Sequence, residues 1–364
     1  MKLELLIDST EFWPRLREDI LSARHSVRVQ TYSFEGDRAG KMLADALLSI
    51  QSVGVDILVD SWSKLVLSDR FLYWPKNLLD AELRSEVVET RRMVDRLRNA
   101  GVRVTYTNPV GLFLSKFPNR NHKKLVLIDD TISYVGGINF SEHNFEWHDM
   151  MIRIDDRGVS QFLTADFDNT RLGGTLPVQS GSFGDIDIHL ANGKLNEGQF
   201  AKIFKVIDGA EKTIQVHVPY LTGPFLDKLE EAKRRGVNVT LIAPRRNNYI
   251  FVGGSVVWRC AKSGLDLRLY DGRMTHLKAM LVDGEVLIAG STNLDFFSYG
   301  HHEEVLVVVR NKPLIEDFVE RILNRDLAHC RVADGAARSW TGGLEDFAVR
   351  SARTLLEWTR PRRQ

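Results

Sequence analysis

Charge imbalance is the first thing this sequence lacks. Its 364 residues carry 49 Lys and Arg against 48 Asp and Glu, a formal net charge of +1. No overall basic field exists to gather nucleic acid, and no stripe of interleaved aromatic and basic residues stands in for one. Cysteine is nearly absent. Cys260 and Cys330 are the only two, far apart and in no C-x-x-C arrangement. That argues against a disulfide framework and a cysteine zinc site, and fits a reducing compartment. Long apolar runs are missing too, so no segment reads as a bilayer span. The opening MKLELLIDSTEF lacks the apolar core of a signal peptide. The expectation is a cytoplasmic protein that meets a membrane, if at all, peripherally on its inner face. With 43% hydrophobic and 27% charged residues, the composition is that of a globular protein, and the length suits two domains.

What the sequence has instead is a repeat. HKKLVLIDD, beginning at His122, returns as HLKAMLVDG, beginning at His276. His122, Lys124 and Asp129 correspond to His276, Lys278 and Asp283. GGIN follows the first copy and GSTN the second at the same spacing, pairing Gly136 with Gly290, Gly137 with Ser291, and Asn139 with Asn293. Looser matches lie upstream: ARHSVRVQTY with AEKTIQVHVPY, GVDILV with GVNVTL, and AGVRVTYTN with SGLDLRLYD.

Each copy of the motif reads as a strand, because Val126, Leu127 and Ile128 favour strands and Asp-Asp marks a turn. His122 and Lys124 then share one face. Each half reads as three helix-strand pairs, then the motif strand and a closing strand, which is an α/β architecture with mixed sheets. DSTEF offers cap residues for a helix ending near Arg24, and Thr222 or Gly223 starts one that stops at Gly236. The seam falls in the Gly- and Ser-rich LGGTLPVQSGSFGD, residues 172 to 185, and an insertion occupies residues 62 to 90. The expected division is 1–175, 185–330 and a basic tail, 331–364.

Both copies keep His, Lys and Asn while core positions such as Leu125 and Ala279 vary. Two half-sites facing each other across a pseudo-twofold are the expectation. Two ammoniums and two amides suit a phosphate, so Asn139, Asn293 and Ser291 are candidate substrate ligands. One imidazole is a nucleophile able to form a covalent phosphohistidine, and the other protonates the leaving oxygen. Lys124 and Lys278 offset the charge that Mg²⁺ would otherwise handle, so no metal or other cofactor is expected. Each His needs a carboxylate to hold its tautomer. Asp149 and Glu304 are the candidates, with Glu303 a rival to Glu304. Asp129 and Asp283 complete the motif, and by residue type they read as strand-ending turns. His143, His148, His301 and His302 read as loop-lining side chains, since no helical H-x-x-x-H pattern joins them.

The doubled H-x-K-x4-D followed by G-G-x-N or G-S-x-N resembles the phospholipase D superfamily, over about residues 5 to 325. The resemblance implies two pseudo-symmetric α/β/α halves with the active site at their interface, His122 as nucleophile, His276 as acid, and Asp129 and Asp283 in the catalytic set. RNHKKLVLID, YVGGIN, VPYLTGPFLDKLEEAKRRGVNVTLIAP and AGSTNLD are most similar to bacterial cardiolipin synthases. Departures are Phe297 where those enzymes tend to carry Arg, His302 for Asn, HDMM for the stretch R-D-T-H, and Leu277 for a small residue. The implied function is transfer of a phosphatidyl group to an alcohol such as phosphatidylglycerol. Hydrolysis to phosphatidic acid is the alternative, and a phosphohistidine nuclease a more remote one. For the implied phospholipid substrate, Leu112, Phe113, Leu114 and Phe117, flanked by Lys116 and Arg120, read as a loop dipping into headgroups. The tail, with Leu355, Leu356 and Trp358, is a second candidate membrane contact.

Overall fold

A computed structural model describes residues 1–50, 52–174, 179–193, 196–333 and 340–358. The chain divides into two compact units, Met1–Pro177 and Val178–Gln364. Residues 175–178 of the expected seam, residues 359–364 of the tail and the side chain of Trp358 lie outside the described residues.

The first unit runs β1 (Lys2–Ile7), α1 (Asp8–Leu21), β2 (Ser26–Thr31), α2 (Arg38–Ser49) and β3 (Gly54–Asp60). An insertion follows, with a small hairpin, β4 (Val66–Leu67) and β5 (Arg70–Phe71), then α3 (Pro75–Leu78) and α4 (Ala81–Asn99). It continues with β6 (Arg103–Thr107), β7 (Leu125–Ile128), β8 (Ile132–Gly136), α5 (Glu142–Glu146), β9 (Met150–Asp155) and α6 (Arg157–Arg171). The sheet order is β1-β9-β8-β7-β2-β3-β6. β2, β3 and β6 are parallel, and the remaining pairs are antiparallel. The four residues of β7 are all buried, as expected of a strand covered on both faces. On one face Phe12, Leu16 and Ile20 of α1, spaced one helical turn apart, pack with Val27, Val29, Val126 and Ile128. On the other, α6 lies against β6 to β9.

The second unit runs β10 (Gln179–Phe183), β11 (Ile186–Asn192), α7 (Asn196–Asp208), β12 (Thr213–His217), α8 (Phe225–Arg234), β13 (Asn238–Pro244), α9 (Ile250–Ser263) and β14 (Asp266–Tyr270). Then come β15 (Ala279–Val282), β16 (Val286–Gly290), α10 (Phe296–Gly300), β17 (Glu303–Val309) and α11 (Lys312–Phe318). A π-helical turn, Val319–Leu323, leads into α12 (Asn324–Ala328), β18 (Cys330–Val332) and α13 (Trp340–Trp358). The sheet order β10-β11-β17-β16-β15-β12-β13-β14-β18 repeats the seven-strand order of the first unit and adds one strand at each edge. β18 pairs with β14 and α13 packs on α9, so these parts of the tail are built into the second unit.

Three local expectations need correction. The strands that open the units, β1 in the first and β10 and β11 in the second, were not foreseen; β1 pairs antiparallel with β9, and β11 with β17, each far downstream. Asp8 does not cap α1, whose N-cap is Ile7; its carboxylate is taken by the loop before β9. Nor does Thr222 cap α8: its hydroxyl accepts the N–H of Phe296 at 2.9 Å. Among the described residues no helix is long and apolar enough to cross a membrane.

Candidate active site

In both units the motif His and Lys lie in irregular chain just ahead of the strand, not within it. The ladder between β2 and β7 begins only at Gln30 and Leu125, and that between β12 and β15 at His217 and Ala279. His122, Lys124, His276 and Lys278 are all buried. Burying an ammonium is costly unless acceptors surround it. Lys124 folds back to donate to the carbonyl of His122 at 2.7 Å, and Lys278 donates in the same way to the carbonyl of His276. Each imidazole has an aromatic neighbour edge-on: Tyr32 at 5.2 Å from His122, and Tyr220 at 6.2 Å from His276. Lys124 Nζ also lies 5.4 Å from the centre of the Tyr32 ring. Each unit thus presents one imidazole and one ammonium on a buried support.

The aspartates of the motif are at the other end of the strand. Asp129 accepts the backbone N–H groups of Arg24, His25 and Ser26 at 2.8, 2.8 and 2.9 Å. Asp283 accepts those of Glu211, Lys212 and Thr213 at 2.9, 2.8 and 2.8 Å. Burial pushes both carboxyls up, but the amide hydrogen bonds outweigh it, and both sit below their ordinary value. Each Asp therefore staples the motif strand to the start of its neighbour, β2 or β12. The two aspartates expected in the catalytic set are thus each committed to three backbone amides.

The candidate phosphate ligands divide. Asn139 Oδ1 accepts from Thr31 Oγ1 and from the N–H groups of Tyr32 and Ser33, and its amide donates to Asn144 at 3.0 Å. Its place is that of a brace for the loop carrying Tyr32. Ser291 donates its hydroxyl to Glu304 Oε2 and accepts the N–H of Val305, which commits it to that carboxylate. Asn293 differs: its Oδ1 is buried with no hydrogen-bond partner among the described residues.

Strand register pairs Glu304, not Glu303, with Asp149. Gly136 pairs with Met151, and Gly290 with Leu306, so Asp149 and Glu304 occupy the same position, two residues earlier, while Glu303 matches His148. Glu304 is fully buried, takes the hydroxyls of Ser291 and Ser298, and lies 3.7 Å from His302 Nδ1. The carboxylate of Asp149 lies over Gly137, where a Cβ would come within 2.3 Å of Oδ1. Two of the histidines read as loop-lining are buried instead. One of these, His148, contacts Asp8 Oδ1 at 2.8 Å through Nδ1; the other is His301. His302, one of the departures, stacks on another, Phe297, at 5.6 Å.

A separate group of carboxylates, Glu35, Asp37 and Glu86, is close enough to share an ion. Burial first, then Glu86 and Asp37, pushes Glu35 up to about 9. Glu35 and Glu86 hold the N–H and hydroxyl of Ser68 at the hairpin turn.

Several residues that shape the site escaped the sequence reading. Tyr32 and Tyr220, and Gln30 and His217, were visible only as equivalent positions in QTY and HVPY. Asp60 binds Arg120 at 2.9 Å and the N–H of Asn121 at 2.6 Å, which pins the chain entering the motif. Arg120 is thereby buried, not the headgroup-facing cation expected. Lys123 forms a buried pair with Asp166 of α6 at 2.6 Å.

Known proteins extend these observations. The major cardiolipin synthase ClsA of Bacillus subtilis (strain 168) is 27% identical over 351 residues, covering 88% of this chain and 69% of the relative. Cardiolipin synthase 1 of Staphylococcus epidermidis is 25% identical over 334 residues, covering 84% and 63%. The chain thus spans only about two thirds of the length of these relatives. Among solved structures, a phosphatidylserine synthase of Haemophilus influenzae Rd KW20 superposes with a TM-score of 0.74 at 16% identity, covering 97% of this chain and 94% of the other. A polyphosphate kinase of Porphyromonas gingivalis gives 0.59 at 15% identity, covering 90% and 50%. At such identities the likeness establishes the fold alone. Residues 16–171 and 203–326, which contain both motifs, match the family described as cardiolipin synthase, PLD-like domain, and it is to this family that the chain belongs.

Proposed function

We propose that the protein is a phosphatidyltransferase, moving a phosphatidyl group from a phospholipid to an alcohol acceptor through a covalent phosphohistidine. The observation that carries this reading is the duplicated buried pair: in each unit a motif Lys is folded onto the backbone of a motif His. Membership of the cardiolipin synthase family supports it.

In the first step a neutral His122 ring nitrogen attacks phosphorus. The bond from phosphorus to the leaving oxygen breaks, and a protonated His276 gives that oxygen its proton. In the second step the acceptor hydroxyl attacks phosphorus and passes its proton to the now neutral His276. The phosphorus–nitrogen bond breaks and His122 is restored. Lys124 and Lys278 offset the charge on the phosphoryl oxygens, and Asn293 Oδ1, buried with no hydrogen-bond partner among the described residues, accepts from a substrate hydroxyl. Asp149 and Glu304 orient imidazoles. The reading requires both motifs to serve one phosphoryl group, and it places the enzyme on a membrane surface.

The test offers labelled phosphatidylglycerol, phosphatidylethanolamine and single-stranded DNA in parallel, with and without glycerol, in excess chelator. A new lipid whose yield rises with glycerol is expected. Phosphatidic acid alone would make the enzyme a phospholipase D, and cut DNA a nuclease. His122→Ala and His276→Ala are each expected to lower turnover by at least about 10²–10⁴-fold, the span for losing acid–base or nucleophilic help. If either variant keeps half of the activity, the motifs act independently and the reading fails.

A further inference from the structure

The chain entering each motif is gripped from the neighbouring strand, and the two grips differ in chemistry. In the first unit Gln30, on β2, donates its amide to Asn121 Oδ1 at 2.8 Å. Asn121 directly precedes His122. In the second unit the equivalent strand position holds His217, the last residue of β12. Register establishes the equivalence, since Gln30 pairs with Leu125 and His217 with Ala279, each three residues past its motif His. His217 Nε2 lies 2.7 Å from Oγ1 of Thr275, the residue before His276. On the other side, His217 Nδ1 lies 3.2 Å from Asp326 Oδ2, an ion-pair contact whose angle is not that of a hydrogen bond, so the carboxylate acts on the ring through its charge. All three side chains are buried.

Asp326 belongs to α12, which continues directly from the π-helical turn Val319–Leu323. A π turn inserts one residue into the helical cycle and re-aims whatever follows it. A carboxylate beside Nδ1 favours the tautomer with its proton on that nitrogen. Nε2 is then an acceptor, and the Thr275 hydroxyl donates to it. Stability alone does not call for this arrangement. Burying an ionisable pair is expensive, and the same position of the first unit is filled by two neutral amides.

We infer that His217 and Asp326 are positioning residues for His276, acting through Thr275 to hold the attitude of the proton-transferring ring. The inference rests on the reading of His276 as the general acid. It deepens that reading by giving the acid's half an ionisable support where the nucleophile's half has an inert one.

Leaving-group dependence tests it. Single-turnover release of the leaving group is measured for a phosphodiester with an alkyl alcohol, which needs a proton, and for one with p-nitrophenol, which leaves without it. His217→Leu is expected to slow alkyl release by about tenfold or more while changing nitrophenol release less than about threefold, part of the 10²–10⁴-fold worth of the acid itself. His217→Gln, which installs the first unit's amide, is expected to recover most of the alkyl rate. Asp326→Asn is expected to show the same selective loss, and it decides the matter if His217→Leu does not fold. An equal fall on both substrates, or none on either, overturns the inference. His276→Ala on the same pair separates the two failures. If that variant shows no selectivity for the alkyl substrate, the acid assignment is wrong; if it does and the His217 and Asp326 variants do not, only the support is wrong.

Discussion

At the scale of single residues, the conspicuous polar groups of the motif do different work at its two ends. His122 and Lys124 stand buried just ahead of the strand, while Asp129 turns back on three amides of the neighbouring segment. Removing that acceptor gives up charge-assisted hydrogen bonds to partly exposed amides, so Asp129→Ala or Asp283→Ala is expected to cost on the order of 0.5–2 kcal/mol, as for a lost helix cap. The pH dependence has a definite sign. Both carboxyls are depressed in the folded state, so their stabilisation is present above the ordinary carboxylate range and is lost as pH falls through the folded value. Denaturant melts of Asp129→Asn should show a deficit near neutrality that closes on acidification. A deficit unchanged down to strongly acidic pH would mean that charge is not what the amides hold. Gly137 makes a second case. A methyl there would press on the Asp149 carboxylate, 2.3 Å from Oδ1. Gly137→Ala is therefore expected to lower turnover by about 10²-fold, the typical result of shifting a catalytic support by an ångström. Unchanged turnover would remove Asp149 from the orienting role.

At the scale of elements, the sequence disclosed what depends on local pattern and concealed what depends on distant partners. The alternation of helices and strands around each motif was legible because β7 and β15 are short apolar runs, while β2 and β12 alternate apolar with polar residues. The two motifs were legible because duplication separates them from chance. β1 was not, since its ladder partner β9 lies some 150 positions away and LELLI alone fits helix or strand. Asp8 looked like a cap for the same reason: its partners, His148 and the N–H of Asp149, are remote in sequence. The motif strand was read too long because His122 and Lys124 continue its alternation although no ladder reaches them. The insertion supplies a prediction at this scale. Its hairpin turn is held by Glu35 and Glu86 through Ser68. Glu35 is raised in the folded state by burial, then by Glu86 and Asp37, so folding favours its protonated form. Stability from this group is greatest at low pH and is lost as pH rises from the ordinary carboxylate value toward about 9. Glu35→Gln should match the wild type in melting temperature near pH 5 and exceed it near pH 8; equal values at pH 8 would show that Glu35 ionises in the fold without penalty.

At the scale of the whole molecule, a phosphatidyltransferase has to reach a lipid, and the described residues offer no membrane-crossing helix for the purpose. The loop before the first motif offers another means. Leu112 is 77% exposed and Phe113 94% exposed, with Lys116 also at the surface. Phe117 is partly packed, its ring 4.9 Å from that of Trp62. Phe113 and Leu114 have φ of 49° and 60°, a left-handed conformation that bulky side chains avoid. Backbone strain spent on holding apolar side chains outward is hard to explain by packing and easy to explain by an apolar phase outside the protein. Burying one such side chain is worth roughly 1.5–3 kcal/mol. Leu112→Glu combined with Phe113→Glu should therefore weaken sedimentation with anionic phospholipid vesicles by at least about tenfold. Turnover of vesicle lipid should fall with it, while cleavage of a water-soluble phosphodiester stays at the wild-type rate. Equal losses on both substrates would place the loop in the chemistry, and no loss on either would leave the lipid to be reached by a different face of the protein.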